Sequence, residues 1–196
     1  MTRKRLLRFK AVHEAGHALI SWFFGFILRY VSIIPGTLSD STPFGGICES
    51  HFDQSFSDFH NALFSEQIVL KLFAGRAATD VFFPRRAPGN GHEKDFADIA
   101  NLKSQSDLFI EMHKWRVNNP GADIEIFYNE FKEPLLKILK SRPGRRAVKK
   151  LAEQLLIYGK LSGREAAGLL ETSWGEPLPQ HARPAEEHQT FTLTTR

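Results

Sequence analysis

The residues best equipped for chemistry in this 196-residue chain stand together near its start, as His13-Glu14-Ala15-Gly16-His17, a match to H-E-x-x-H. On a helix, two residues four apart lie about 40° apart around the axis and about one turn apart along it. Two imidazoles placed that way can reach one metal ion at roughly 2.0–2.1 Å. The carboxylate of Glu14 then points around the helix, near enough to take a proton from a metal-activated water without being a ligand. This is the spacing that zinc-assisted attack on a peptide carbonyl requires. An ordinary amphipathic helix with two polar residues on one face would carry the same pentapeptide. The neighbours argue against that: Val12, Ala18, Leu19, Ile20 and Trp22 are apolar, so the helix should be buried. Two buried histidines and a buried glutamate need partners.

Several elements must position this group. Apolar residues recur at helical spacing over 7–24, which predicts the helix that carries the pentapeptide. The run "RYVSIIP" at 29–35 is β-branched and stopped by Pro35 and Gly36, which predicts a strand. A loop rich in turn formers follows at 36–46, then a short strand at 47–52. Residues 56–83 read as one or two helices and 84–92 as a Pro/Gly connector. Further helices are predicted over about 93–116, 122–140, 144–158 and 163–171. The expected fold class is mainly α with a small β-sheet, that is α+β. At 42% hydrophobic residues the chain can bury a sizeable core. From Thr172 onward it turns polar and Pro-containing, so a domain over 1–171 and a disordered tail over 172–196 are expected.

Composition removes several function classes. A single cysteine, Cys48, excludes an intrachain disulfide and a four-cysteine zinc site. In the second strand it reads as a small core residue, and a reducing, cytoplasmic setting is the expectation. No phosphate-cradling G-x-x-x-x-G-K-[ST] loop is present, so ATP hydrolysis by that route is excluded for this chain. The most apolar run, Ala18 to Leu28, is too short to span a bilayer, and the basic start offers no signal-peptide pattern. Net charge is +4, with basic clusters at 3–10 and 140–150. No nucleic-acid-binding motif accompanies them, so solvated faces and no specific nucleic-acid partner are expected. The cluster at the start suits peripheral contact with an anionic membrane surface.

Longer stretches carry a resemblance. In order, "AVHEAGHALI" at 11–20, "VSIIPG" at 31–36, "FGGI" at 44–47, "IVLKLFAGRAATDVFF" at 68–83, "EKDFADIANL" at 93–102 and "LAEQLLIYGKLSGREAAGLL" at 151–170 resemble one peptidase domain. It is that of the FtsH family of membrane-associated, ATP-dependent zinc proteases. The resemblance covers about residues 9–171, and its most specific pieces are the pentapeptide and the "GRAA" stretch. Where the family has Gly-Gly-Arg-Ala-Ala, this chain has Ala74 for the first Gly.

The resemblance implies a helical, zincin-like metallopeptidase domain with zinc held by His13, His17 and Asp95, and with Glu14 as general base. The segment "PGNGHEKD" before Asp95 departs from the family pattern, and His92, Glu93 and Asp98 are chemically able ligands within one helical turn of it. The implied activity is zinc-dependent endopeptidase hydrolysis of unfolded or extended polypeptides. An extended substrate would lie along an edge that maps to Val31–Ile34. A homo-oligomer, and an ATPase acting in trans, are the partners it allows. One rival reading is a catalytically silent peptidase-fold adaptor or scaffold that binds a partner protein; another is a zinc hydrolase acting on a small amide. Two residue-level questions stay open at this point. The aromatics Trp22, Phe23, Phe24 and Phe26 form either core or a partner-binding face, and Gly16 either admits a close neighbour or is merely tolerated.

Overall fold

Thr2 opens the first helix, α1 (Arg3–Phe23): its hydroxyl accepts from the Arg5 N–H at 3.4 Å and satisfies one of the orphan amides of the first turn. Ala11, Ala15 and Ala18 are fully buried along it, and such small side chains let neighbouring helices approach. The chain then turns at Phe24–Gly25 into strand β1 (Ile27–Ser32). Next come β2 (Gly36–Thr37), β3 (Pro43–Phe44) and β4 (Ile47–His51), then helix α2 (Ala62–Phe82). Helices α3 (Ile124–Lys140) and α4 (Arg142–Tyr158), strand β5 (Lys160–Ser162) and helix α5 (Gly163–Trp174) complete the order. These elements come from a computed structural model that describes residues 2–37, 43–51, 62–84 and 124–175. The expected helix over 93–116, most of the connector over 84–92 and residues 176–196 lie outside the described residues.

The architecture is α+β, mostly helical with a small three-stranded antiparallel sheet and a two-stranded ribbon of β2 and β3. Helix α1 is its axis. It packs on α2 along one side and on α4 along another, while α3 backs α2 and α5 backs α4. The apolar face of α4, with Ala147, Val148, Leu151 and Leu155 buried, repeats every three to four residues and so faces α1 along its length. Phe73 and Tyr128 meet at 5.3 Å between ring centroids and fasten α3 to α2, and the Tyr128 hydroxyl donates to Asp80 at 2.8 Å.

In the sheet the order is β4-β1-β5. Val31 pairs with Cys48 on one side and with Leu161 on the other. The Ile33 N–H continues that second side by donating to the Gly159 carbonyl at 2.8 Å. Strand β1 is therefore central, and the expected free edge at Val31–Ile34 is not there. Strand β5 takes it, three residues between two helices that are too few to show alternation in sequence. Gly159 makes this possible: at φ 75° it reverses the chain between α4 and β5 in a conformation that a side chain would strain.

Helix α5 also runs past the expected boundary at 171. Ser162 and Glu165 form a capping box at its start. At its end Thr172, Ser173 and Trp174 are still helical, with Ser173 and Trp174 buried. The stripe Ala166, Leu170, Trp174 keeps the four-residue spacing of a buried face, so the extension was readable. Arg146 closes the end: its Nη2 donates to the Trp174 carbonyl at 2.6 Å and its Nε to the Ser173 carbonyl. One member of the basic run over 140–150 thus has a structural task.

Trp174 packs against Trp22 at 6.0 Å and Phe23 at 5.4 Å between ring centroids, which makes the aromatic cluster after His17 part of the core. Truncating a buried tryptophan leaves a large cavity, at a typical cost of about 3–5 kcal/mol. Trp174→Ala should lower the thermal midpoint correspondingly, as circular dichroism melting would show; an unchanged melt would mean that α5 is dispensable to this core. Among the described residues no helix is long and apolar enough to cross a membrane.

Candidate metal centre

The pentapeptide sits at the middle of α1, where that helix meets α2 on one flank and the start of β4 on another. His13, Glu14 and His17 are only 8%, 6% and 8% exposed. Buried groups of this kind persist only when something compensates their lost hydration. For His17 the compensation is explicit. Its Nδ1 lies 2.7 Å from the Lys71 carbonyl oxygen on α2. A carbonyl only accepts, so Nδ1 carries the proton and Nε2 presents its lone pair. Fixing an imidazole by its far nitrogen is how protein metal sites orient histidine ligands and raise their basicity.

The Nε2 atoms of His13 and His17 converge to 3.1 Å, with the rings 4.7 Å apart and nearly perpendicular. Two ligand nitrogens at roughly 2.0–2.1 Å from one tetrahedral ion stand about 3.3–3.4 Å apart. The pair is thus within a few tenths of an ångström of the separation a shared ion requires.

Glycine provides the clearance around them. A Cβ built on Gly75 of α2 would fall 2.6 Å from both Nε2 and Cε1 of His13, and closer still to Nε2 of His17. The absence of a side chain there leaves a cradle at the point where the two nitrogens converge. A Cβ on Gly46, just before β4, would fall 2.6 Å from the Glu14 Oε1. The carboxylate therefore lies against the backbone just before β4. Lys10, one turn earlier, donates from Nζ to the Gly45 carbonyl at 3.2 Å and ties the link between β3 and β4 to α1.

Gly16 serves the helix pair itself. A Cβ there would lie 2.5 Å from the Ala78 Cβ and 2.7 Å from the Ala74 carbonyl oxygen. The close-neighbour alternative is the one the structure contains, and it sets the spacing at which the α2 backbone can reach His17.

Behind the site lie groups that sequence reading did not single out. Lys71 donates from Nζ to the Ser50 carbonyl on β4 at 3.3 Å and stands 5.1 Å from the centroid of the Phe26 ring. Burial pulls its ammonium pKa below the usual lysine value, partly offset by Cys48. Cys48 is half-buried against the core. Burial first, then the charge of Glu14, push its thiol pKa up, with Lys71 and Ser21 acting the other way. A thiol held protonated is a poor nucleophile, in keeping with a packing role.

His13, Glu14 and His17 are thus together. Asp95, the expected third ligand, and its alternatives His92, Glu93 and Asp98 lie outside the described residues. Among the described residues no group of three or more His, Cys, Asp or Glu side chains converges as a metal site. Nothing in the sequence motif announced the Lys71 carbonyl, which any residue would supply. Gly75 was visible as the first residue of the "GRAA" stretch, but nothing in that stretch tied it to the histidine pair. The chain matches no protein-family model, and no curated protein is detectably similar to it.

Proposed function

We propose that this chain is a zinc-dependent endopeptidase acting on unfolded or extended polypeptides, built as a zincin-like, FtsH-type peptidase domain. The observation that carries the reading is the convergence of two buried imidazole Nε2 atoms at 3.1 Å, with the far nitrogen of His17 held by the Lys71 carbonyl. The donor set suits zinc: two neutral imidazoles, and in this reading the carboxylate of Asp95 as a third ligand, leaving one position open. When bound, zinc supplies Lewis acidity toward a carbonyl oxygen and makes water acidic near neutral pH.

The chain's own residues do the rest. His13 and His17 hold the ion at a fixed point of α1. Glu14, kept off the metal by its place on the helix, takes a proton from water and returns it to the leaving amine. Substrate alignment falls to the sheet. With β1 central, the strand beside the site is β4, and among the described residues no strand pairs with its outer side. An extended peptide added there would align by main-chain hydrogen bonds, which accept any sequence.

The wider reading includes a cytoplasmic setting. Arg3, Lys4, Arg5 and Arg8 are exposed on the first turns of α1 and suit contact with an anionic membrane surface. An ATPase acting in trans would supply unfolded chains, and a homo-oligomer is the assembly the reading allows.

The test is metal content with cleavage. Purified protein should carry about one zinc per chain, by analogy with mononuclear sites, and should hydrolyse an unfolded protein in a chelator-sensitive way. His13→Ala and His17→Ala should each weaken zinc binding by more than the roughly 10–100-fold typical of lost supporting contacts. A folded wild-type chain with neither zinc nor cleavage would select the adaptor reading instead.

A further inference from the structure

Gly75 stands in the interior of a 21-residue helix, among residues that favour helix. Glycine there is disfavoured relative to alanine, because it loses more backbone freedom on folding. A local rule broken inside an otherwise consistent element is where a functional demand is to be sought. The surroundings identify the demand. The three atoms nearest to a Cβ at this position all belong to His13 and His17, and all fall within 2.6 Å. Real Cβ contacts do not come that close, so a methyl group would push both imidazoles aside. Gly16, by contrast, meets the Cβ of Ala78 and the backbone of Ala74. One glycine spaces the helices and the other clears the ligand nitrogens.

We infer that Gly75 is the residue that determines whether the histidine pair can hold a metal ion, acting through the side chain it lacks. The inference rests on the zinc reading and deepens it. Metal ligands tolerate displacements of about 0.2 Å, whereas relief of these contacts needs several tenths of an ångström or more. Position 75 therefore separates an enzyme of this architecture from a metal-free scaffold. Alanine would raise helix propensity but displace both imidazoles, so glycine at this position suits two nitrogens that must stay converged on one ion.

The experiment compares wild type, Gly75→Ala and His17→Ala for zinc affinity, by competition with a chromophoric chelator, and for the visible absorption of bound cobalt(II). Melting of the metal-free proteins is measured alongside. Gly75→Ala should fold without metal, lose more than about 100-fold in zinc affinity, beyond the range for supporting residues, and lose the tetrahedral cobalt signature. Where the single variant fails to fold, the triple variant Gly75→Ala/His13→Ala/His17→Ala should melt no lower than His13→Ala/His17→Ala, since the three nearest contacts are then gone. Gly75→Ala that binds zinc as tightly as wild type overturns the inference while leaving the zinc reading intact. So does a triple variant that melts lower than the double. A wild-type chain that binds no zinc takes both down.

Discussion

Glu14→Gln should lower peptide hydrolysis by about 10²–10⁴-fold, the range a positioned general base contributes, while zinc content stays at the wild-type level. The amide has the shape of the carboxylate and keeps a hydrogen-bonding oxygen, so the packing of this residue, 6% exposed and pressed against Gly46, is undisturbed. It cannot accept a proton from water. Because Glu14 is not itself a ligand in this reading and the imidazoles converge on Gly75, the substitution leaves both ligand nitrogens in place. The loss should fall on kcat and on kcat/KM alike, since the interaction removed belongs to the transition state and not to the bound substrate. Steady-state cleavage of an unfolded protein, with metal analysis of the same samples, decides the matter. Hydrolysis within a few-fold of wild type would remove Glu14 from the mechanism. Zinc lost together with activity would recast the residue as part of the metal's support.

How much of this was legible before the structure depends on which physical signal each feature leaves. Helix α1 shows its period and its motif together, so its existence and burial could be read, though it starts at Arg3, four basic-rich residues before the apolar period begins. Strand β1 could be read as a strand, but whether a strand is central or at an edge depends on partners far along the chain. Here that partner is the three-residue β5, whose Leu161 lies across from Val31. The edge assigned to β1 is consequently paired, and among the described residues the unpaired side belongs to β4. Trp174 was legible in principle. It continues the spacing of Ala166 and Leu170, but the Gly and Pro residues after it give the segment the look of a tail. The most consequential contacts of the site leave almost no trace in residue type. The Lys71 carbonyl that orients His17 is backbone, and Gly46 and Gly75 act by what they omit. Asp95 was assigned from family likeness and lies outside the described residues, so its place at the site remains a proposal tested by metal binding.

The second large effect concerns Gly16, where two physical terms have opposite signs and the balance can be measured. Helix propensity alone predicts that Gly16→Ala stabilises the protein by up to about 1 kcal/mol. Packing predicts the reverse. The new methyl would stand 2.5 Å from the Ala78 Cβ and 2.7 Å from the Ala74 carbonyl oxygen, and neither is the end of a flexible side chain that can swing away. Relief must come from moving α1 against α2, and overpacking of this sort costs about 1–3 kcal/mol. Gly16→Ala should therefore be destabilised on balance, and Gly16→Val by more than about 3 kcal/mol, because a branched side chain adds to the same clash. The helix shift also draws the Lys71 carbonyl away from His17 Nδ1, so zinc affinity should fall with stability. In this it differs from Gly75→Ala, where metal binding alone is lost. Adding Ala78→Gly removes the closest contact, and the double variant Gly16→Ala/Ala78→Gly should regain part of the loss beyond additivity. Denaturant unfolding of the four proteins measures that coupling. Strictly additive effects, or a Gly16→Ala protein more stable than wild type, would mean that the helices can separate freely here. The imidazole pair would then owe its geometry to α1 alone.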